Sequence, residues 1–152
     1  MKIGVKFTNP DAKLPVKMLE SDGWDVYATR DHVLHGMESL LESRGSIKNS
    51  VIIDSGLIFD LPENYPFDVR PRSGLAAKHN ITVTNTPALI DANFRGELSI
   101  LLINHGWEDF FIKSGDRIAQ ITFPVLRNDV EFYEVNEVSE TSRGKKGLGS
   151  TQ

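Results

Sequence analysis

The feature that most limits the fold is a series of short β-type runs, each closed by a turn residue before it reaches helical length. IGVKFT alternates at period two. So does WDVYA, with Trp24, Val26 and Ala28 on one side and Asp25 and Tyr27 on the other. VIIDSGLIFDLP, PFDVRP, ITVTNTP, ELSILLIN, DFFIK, RIAQITFPVLR and EFYEV follow. Val, Ile, Phe and Thr fill these runs, and Pro, Gly, Asn and Asp separate them. No long helix alternates with them, which argues against a parallel α/β sheet. The pattern predicts an all-β antiparallel sandwich, jelly roll or barrel.

Two segments read as helical. SGLAAKH, Ser73 to His79, is about two turns long, with Ser73 as the expected N-cap. DHVLHGMESLLESRG carries Leu34, Met37, Leu40 and Leu41 near helical spacing and Gly45 as a stop, so an amphipathic helix on the sandwich is expected there.

At 152 residues and 39% hydrophobic, the chain fits one domain with a real core. Seventeen Lys and Arg against 21 Asp and Glu leave a net charge of −4. That argues against broad nucleic-acid binding, which needs a basic face, but allows one local basic pocket. With no cysteine there is neither a thiol nucleophile nor a thiolate metal site. The start MKIGVKFTNP lacks an apolar signal core, and no apolar run nears the ~18 residues a membrane span needs. A soluble, cytoplasmic protein without membrane or direct nucleic-acid contact is expected.

Four stretches carry polar groups that a β core does not need. RPRSGLAAKH offers Arg70 and Arg72, a hydroxyl and a helix start, which together suit an anion; the plainer reading is a turn with an ordinary cap. In NTPALIDANFRGELSILLIN, Asp91 follows Leu89 and Ile90 in an apolar setting, with a fold-back near Asp91 to Gly96. A carboxylate held there can orient and deprotonate a water, or simply cap the turn. SGDRIAQITFPV puts Gln120 in a buried run, where its amide needs partners, while Asp116 and Arg117 read as structural ion pairs. ESDGWDVYATRD sets Asp25 in a strand, either as a structural hydrogen-bonding group or as an indirect metal ligand. His32, His35, His79 and His105 show no metal spacing and read as surface or loop residues.

Taken in order with the tail RGKKGLGST, these stretches resemble the five motifs of the trimeric dUTPases. SDGWDVYA is similar to the first motif, PRSGLA and GDRIAQ match the second and fourth, and NTPALIDANFRGE resembles the third. The resemblance implies a jelly-roll-like β domain over 1–140, with an insertion at about 31–50, and a flexible arm at 141–152 that closes over an active site. It implies hydrolysis of dUTP to dUMP and pyrophosphate, with Mg²⁺ carried on the triphosphate. Asp91 would activate the water, and Asp25 would reach the metal through water. Arg72, Ser73, Gly74, Gln120, Arg143, Ser150 and Thr151 would hold the phosphates. Asn85, Leu89, Ile90, Phe94 and Leu148 would surround uracil and deoxyribose. A homotrimer with shared sites is implied as well.

The chain departs from the family pattern in several places. Leu148 replaces a stacking Phe, Phe94 a Tyr, and Lys146 and Ala88 glycines. The 31–50 segment reads first as a surface insertion; a contact with another subunit or a protein partner is the sharper alternative. Leu101 stands where the related dCTP deaminases carry a glutamate, and leucine cannot do acid-base work. A deaminase or bifunctional enzyme is therefore disfavoured. A regulatory binding protein on the same scaffold is the rival from another class.

Overall fold

Alternation in the β runs becomes two facing sheets in the computed structural model, which describes residues 2–18 and 21–124. The strands are β1 Gly4–Phe7, β2 Val16–Lys17, β3 Trp24–Tyr27, β4 His32–Leu34, β5 Ser50–Asp60, β6 Phe67–Arg70, β7 Ile81–Val83, β8 Ala88–Ile90, β9 Glu97–Asn104, β10 Phe110–Ile112 and β11 Arg117–Thr122. Two helices, α1 Met37–Glu42 and α2 Ser73–His79, interrupt them. One sheet runs β1-β5-β9-β7, the other β2-β3-β11-β6-β8, and β10-β4 forms a separate ribbon. Among the described residues every strand pair is antiparallel. The jelly-roll-like all-β architecture expected from the sequence is the one found.

β9 shows how the pattern acts. Leu98, Ile100, Leu102 and Asn104 are buried, and the residues between them are half-exposed. Across the gap, Val26, Phe67, Val69 and Ile121 of the second sheet close the core. Phe67 packs edge-on against Phe59 and Phe123, with ring centroids 5.1 and 5.8 Å away. Burying each such side chain contributes roughly 1.5–3 kcal/mol.

Three expectations change. The helix read from DHVLHGMESLLESRG is only α1, and His32–Leu34 is instead a strand paired with β10, Leu34 opposite Phe110. Helical spacing concealed it because a three-residue strand has too few positions to show period two. Second, no tight hairpin forms at Asp91 to Gly96. β8 pairs with β6 in one sheet while β9 pairs with β5 and β7 in the other, so this turn crosses between sheets. Third, His32 lies on a strand with a buried Nε2, and His35 bonds Asp109, so neither is a free surface residue. The expected EFYEV strand, the boundary near residue 140 and the arm residues Arg143, Leu148, Ser150 and Thr151 lie outside the described residues.

Candidate active site

The site begins with strand register. Asp25 on β3 faces Gln120 on β11, which in turn faces Arg70 on β6. The adjacent row, Trp24, Ile121 and Val69, includes two residues buried in the core, so the Asp25 row looks outward. Asp25 is nonetheless buried, its side chain only 12% exposed. A carboxylate that deep needs charged partners. It has two: Oδ1 accepts from Arg72 Nε at 3.0 Å and Oδ2 from Arg117 Nη1 at 3.1 Å. Arg72 Nη1 also donates to the Arg117 carbonyl at 3.2 Å. Arg117, read from the sequence as a structural ion pair, is thus half of a clamp on Asp25. Asp116 keeps the plain role of accepting Lys113 N–H in the preceding turn.

Arg72 arrives there because β6 ends at Arg70 and Pro71 turns the chain. Ser73 is not the N-cap. Arg72 holds that position with extended backbone, φ −83 and ψ 128, and Ser73 is the first helical residue. Among the described residues no side chain caps α2, which leaves its first-turn N–H groups available. Ser73 and Gly74 are exposed, and among the described residues nothing would crowd a Cβ at Gly74, which leaves the turn open to a ligand. Gln120 finds the partner its burial requires: Nε2 donates to the Pro71 carbonyl at 2.9 Å. It therefore braces the turn from the neighbouring strand. Arg70 is held beside it by Asp68, Nη2 to Oδ2 at 3.0 Å.

The third-motif residues gather elsewhere. Asp91 is exposed and opens onto a cleft of about 660 Å³ with Leu61, Glu63, Asn64, Ala92, Asn93 and Arg95. The expected apolar setting is replaced by a largely polar wall. Phe94 N–H donates to the Asp91 carbonyl at 3.0 Å, and the Phe94 ring lies over Gly96, where a Cβ would collide with it. Phe94 and Leu89 are exposed, Ile90 is half-buried, and Asn85 sits exposed in the turn after β7.

The two groups leave opposite ends of one ladder. Ile90 lies opposite Phe67, at the start of β6, so Asp91 leaves the β6–β8 ladder at that end. Arg72 and Ser73 follow the other end, and the Arg72 side chain reaches across β11 to Asp25 on β3, away from β8. Three residue steps of β6 alone span about 10 Å.

A third cluster escaped the sequence reading. Asn104 is 1% exposed, and its side chain bonds Leu34 O, Glu108 O and Gly106 N. Asp109 accepts from Gly36 N–H at 2.8 Å, contacts Ser39 and meets His35 Nδ1 at 3.0 Å. The Gly36 amide, then Ser39 and His35, hold its carboxyl below the usual carboxylate range. An Asn ending the apolar run ILLIN was the available signal, since a buried amide must be satisfied.

Among the described residues no group of three or more His, Cys, Asp or Glu could hold a metal. Asp25 spends one lone pair of each oxygen on an arginine and keeps another. That donor set fits a hydrated Mg²⁺ carried by a ligand's phosphates and met through water, the ion's usual habit. Among the described residues no helix is long and apolar enough to cross a membrane.

Fold and site together define a jelly-roll-like antiparallel β protein with an arginine-clamped carboxylate beside an open helix start. The dUTPase family model matches residues 12–152. The deoxyuridine 5'-triphosphate nucleotidohydrolase of Nautilia profundicola is 43% identical over 153 residues, 99% of each chain. That of Clostridium tetani is 41% identical over 149 residues, 97% of this chain and 94% of its own. This chain belongs to the dUTPase family, the dUTP diphosphatases. In fold it matches Staphylococcus bacteriophage 80alpha dUTPase bound to dUpNHpp, at TM-score 0.71 and 22% identity over 99% of this chain and 98% of that one. A variant of phage phi11 dUTPase, described with a structural Mg(II) ion, matches at TM-score 0.71 and 18% identity over 90% and 98%.

Proposed function

We propose that this member of the dUTPase family hydrolyses dUTP to dUMP and pyrophosphate by attack of water on the α-phosphorus. In the cell this limits uracil incorporation into DNA and supplies dUMP for dTMP synthesis. The observation that carries the reading is the Arg72–Ser73–Gly74 turn, braced by Gln120 and clamped through Asp25 beside an uncapped helix start. Unclaimed N–H groups, a guanidinium and a hydroxyl converging on open space suit a polyphosphate.

Asp91 accepts the proton of the attacking water as its oxygen bonds to phosphorus. The bond from the α-phosphorus to the bridging oxygen breaks, and pyrophosphate carries away the electron pair. Ser73 lies against that bridge, and Gln120 uses its second amide hydrogen on the α-phosphate. Arg72 and Gly74 hold the outer phosphates, where fixed donors need no reorganisation as charge shifts. Asp25 would meet a phosphate-carried Mg²⁺ through water, and the ion would supply charge neutralisation on the triphosphate. Asn85 and the backbone around Leu89 and Ile90 read the uracil edge, and Phe94 underlies the deoxyribose, leaving no room for a 2′-hydroxyl.

Asp91 and Ser73 follow opposite ends of the β6–β8 ladder, which supports a complete site drawing each from a different subunit of the homotrimer that the family resemblance implies. The 1–140 β domain then supplies the two halves. The 141–152 arm closes over them, with Arg143, Ser150 and Thr151 on the phosphates and Leu148 over the base. The insertion, with β10 beside it, offers a second contact surface: Val33 of the insertion and Phe111 of β10 pair across the β4–β10 ribbon, and both are exposed. A protein partner fits there, and Phe111→Ser should weaken its binding without lowering turnover.

A panel of dUTP, UTP, dCTP and dTTP, with and without Mg²⁺, tests the reading. Pyrophosphate release confined to dUTP, dependent on Mg²⁺ and lost in Asp91→Asn, is expected. Ammonia release from dCTP, or nucleotide binding without turnover, would overturn it in favour of the deaminase or the regulatory alternative.

A further inference from the structure

The loop between β9 and β10 touches both the insertion and the phosphate-binding helix. On the insertion side, Met37 and Glu38 at the start of α1 donate to the Gly106 and Trp107 carbonyls, each at 3.0 Å. The first turn of α1 is therefore satisfied by this loop and not by a side-chain cap. Gly36 N–H binds Asp109, and Asn104 ties Leu34 to Glu108 and Gly106. On the far side, His105 N–H donates to the Asn80 carbonyl, the C-cap of α2, at 3.0 Å. The His79 ring lies 4.7 Å from that of Phe110. A cleft of about 220 Å³ between Lys78 and Trp107 leaves room for the two surfaces to shift.

We infer that the Asn104–Asp109 loop is a positioning element that transmits the placement of the 31–50 insertion to α2, and so sets the pose of the Arg72–Ser73–Gly74 turn. The helix has seven residues, with the turn at one end and the loop contact at the other. A displacement at His79 is carried to Ser73 because the hydrogen-bonded helix between them moves as a unit. The role assigned to the turn rests on the dUTP reading; the mechanical link does not.

Gly36 supplies a clean perturbation. Its φ is −86, so alanine adopts the same backbone without strain. A Cβ there would, however, collide with the Trp107 and Glu108 carbonyls. Gly36→Ala therefore displaces the loop that contacts α2. Two measurements follow. In the unliganded protein, the Ser73 and Gly74 amide resonances should move, whatever the substrate. In the enzyme, KM for dUTP and Kd for a non-hydrolysable dUTP analogue should rise about three- to tenfold, because small misplacements weaken oriented contacts. Binding of dUMP, which lacks the outer phosphates, should stay unchanged. A change that is merely destabilising would lower Tm and leave that affinity ratio alone.

His79→Ala should give the same signature without touching the insertion, and His79→Phe, which keeps a ring against Phe110, should restore the ratio. If Gly36→Ala does not fold, the His79 pair decides. Unchanged Ser73 and Gly74 resonances, or an unchanged analogue-to-dUMP ratio in folded variants, would refute the link. Failure of the wild-type chain to release pyrophosphate from dUTP would refute the functional reading alone, and the resonance shifts would still judge the inference.

Discussion

Asp25→Asn is the sharpest test of the clamp. The carboxylate accepts one charge-assisted hydrogen bond on each oxygen, from Arg72 at 3.0 Å and Arg117 at 3.1 Å. Such bonds contribute about 1.5–3 kcal/mol each. Asparagine keeps one acceptor, loses the other bond and turns an NH2 group toward a guanidinium. The Arg72 and Arg117 side chains are 24% and 40% exposed, so water recovers part of the loss. A net cost of about 2 kcal/mol follows, which for a chain of this size lowers Tm by roughly 4–8 °C. Thermal and urea unfolding measure it, and a double-mutant cycle with Arg117→Met isolates the coupling. Because Arg72 is released as well, KM for dUTP should rise. A Tm within about 1 °C of wild type, with KM unchanged, would show that the clamp neither stabilises the fold nor aims Arg72.

Further outcomes can be checked directly. Asp91→Asn should lower kcat by about 10²–10⁴ while leaving analogue binding intact, as removal of a general base does; equal turnover in steady-state assays would exclude the base role. Leu148→Phe should tighten dUTP binding about three- to tenfold, since an aromatic contact adds roughly 0.5–1.5 kcal/mol; titration calorimetry with the analogue decides. Burial, and then the Arg30 charge, push the His32 imidazole below its ordinary 6.5. The folded state thus favours neutral His32, and stability present above pH 6.5 should fade as pH drops through the folded value. Tm measured from pH 8 to 5 should fall less steeply in His32→Gln than in wild type. Asn104→Ala removes three bonds from a buried site and should cost about 3 kcal/mol, seen as a lower urea midpoint.

Where periodicity and local chemistry agree, the fold was legible. The β9 run alternates cleanly, and the α2 segment ends on residues 73 and 79 as read, because Pro71 and the left-handed Asn80, φ 56, bound it locally. β4 was not legible: its three residues are held by pairing with β10, over 70 positions downstream, which leaves no local mark. The crossing of Asp91 between sheets was hidden for the same reason. Local turn residues signal a reversal but not which sheet receives the next strand. Asp25 and Gln120 stood out as polar groups in apolar runs, yet their partners, Arg72 and Arg117 for the one and the Pro71 carbonyl for the other, lie 47 to 92 positions away and leave no local mark.

The ladder that parts Asp91 from Ser73 has a genetic consequence. In the proposed homotrimer with shared sites, a subunit crippled at Arg72 and another crippled at Asp91 would each be inert as pure assemblies, yet each would still own the half its companion lacks. Unfolded together and reassembled, two dead proteins should yield hybrids in which some sites are whole. Recovered activity should then track the mixing ratio, highest near parity and vanishing at either extreme.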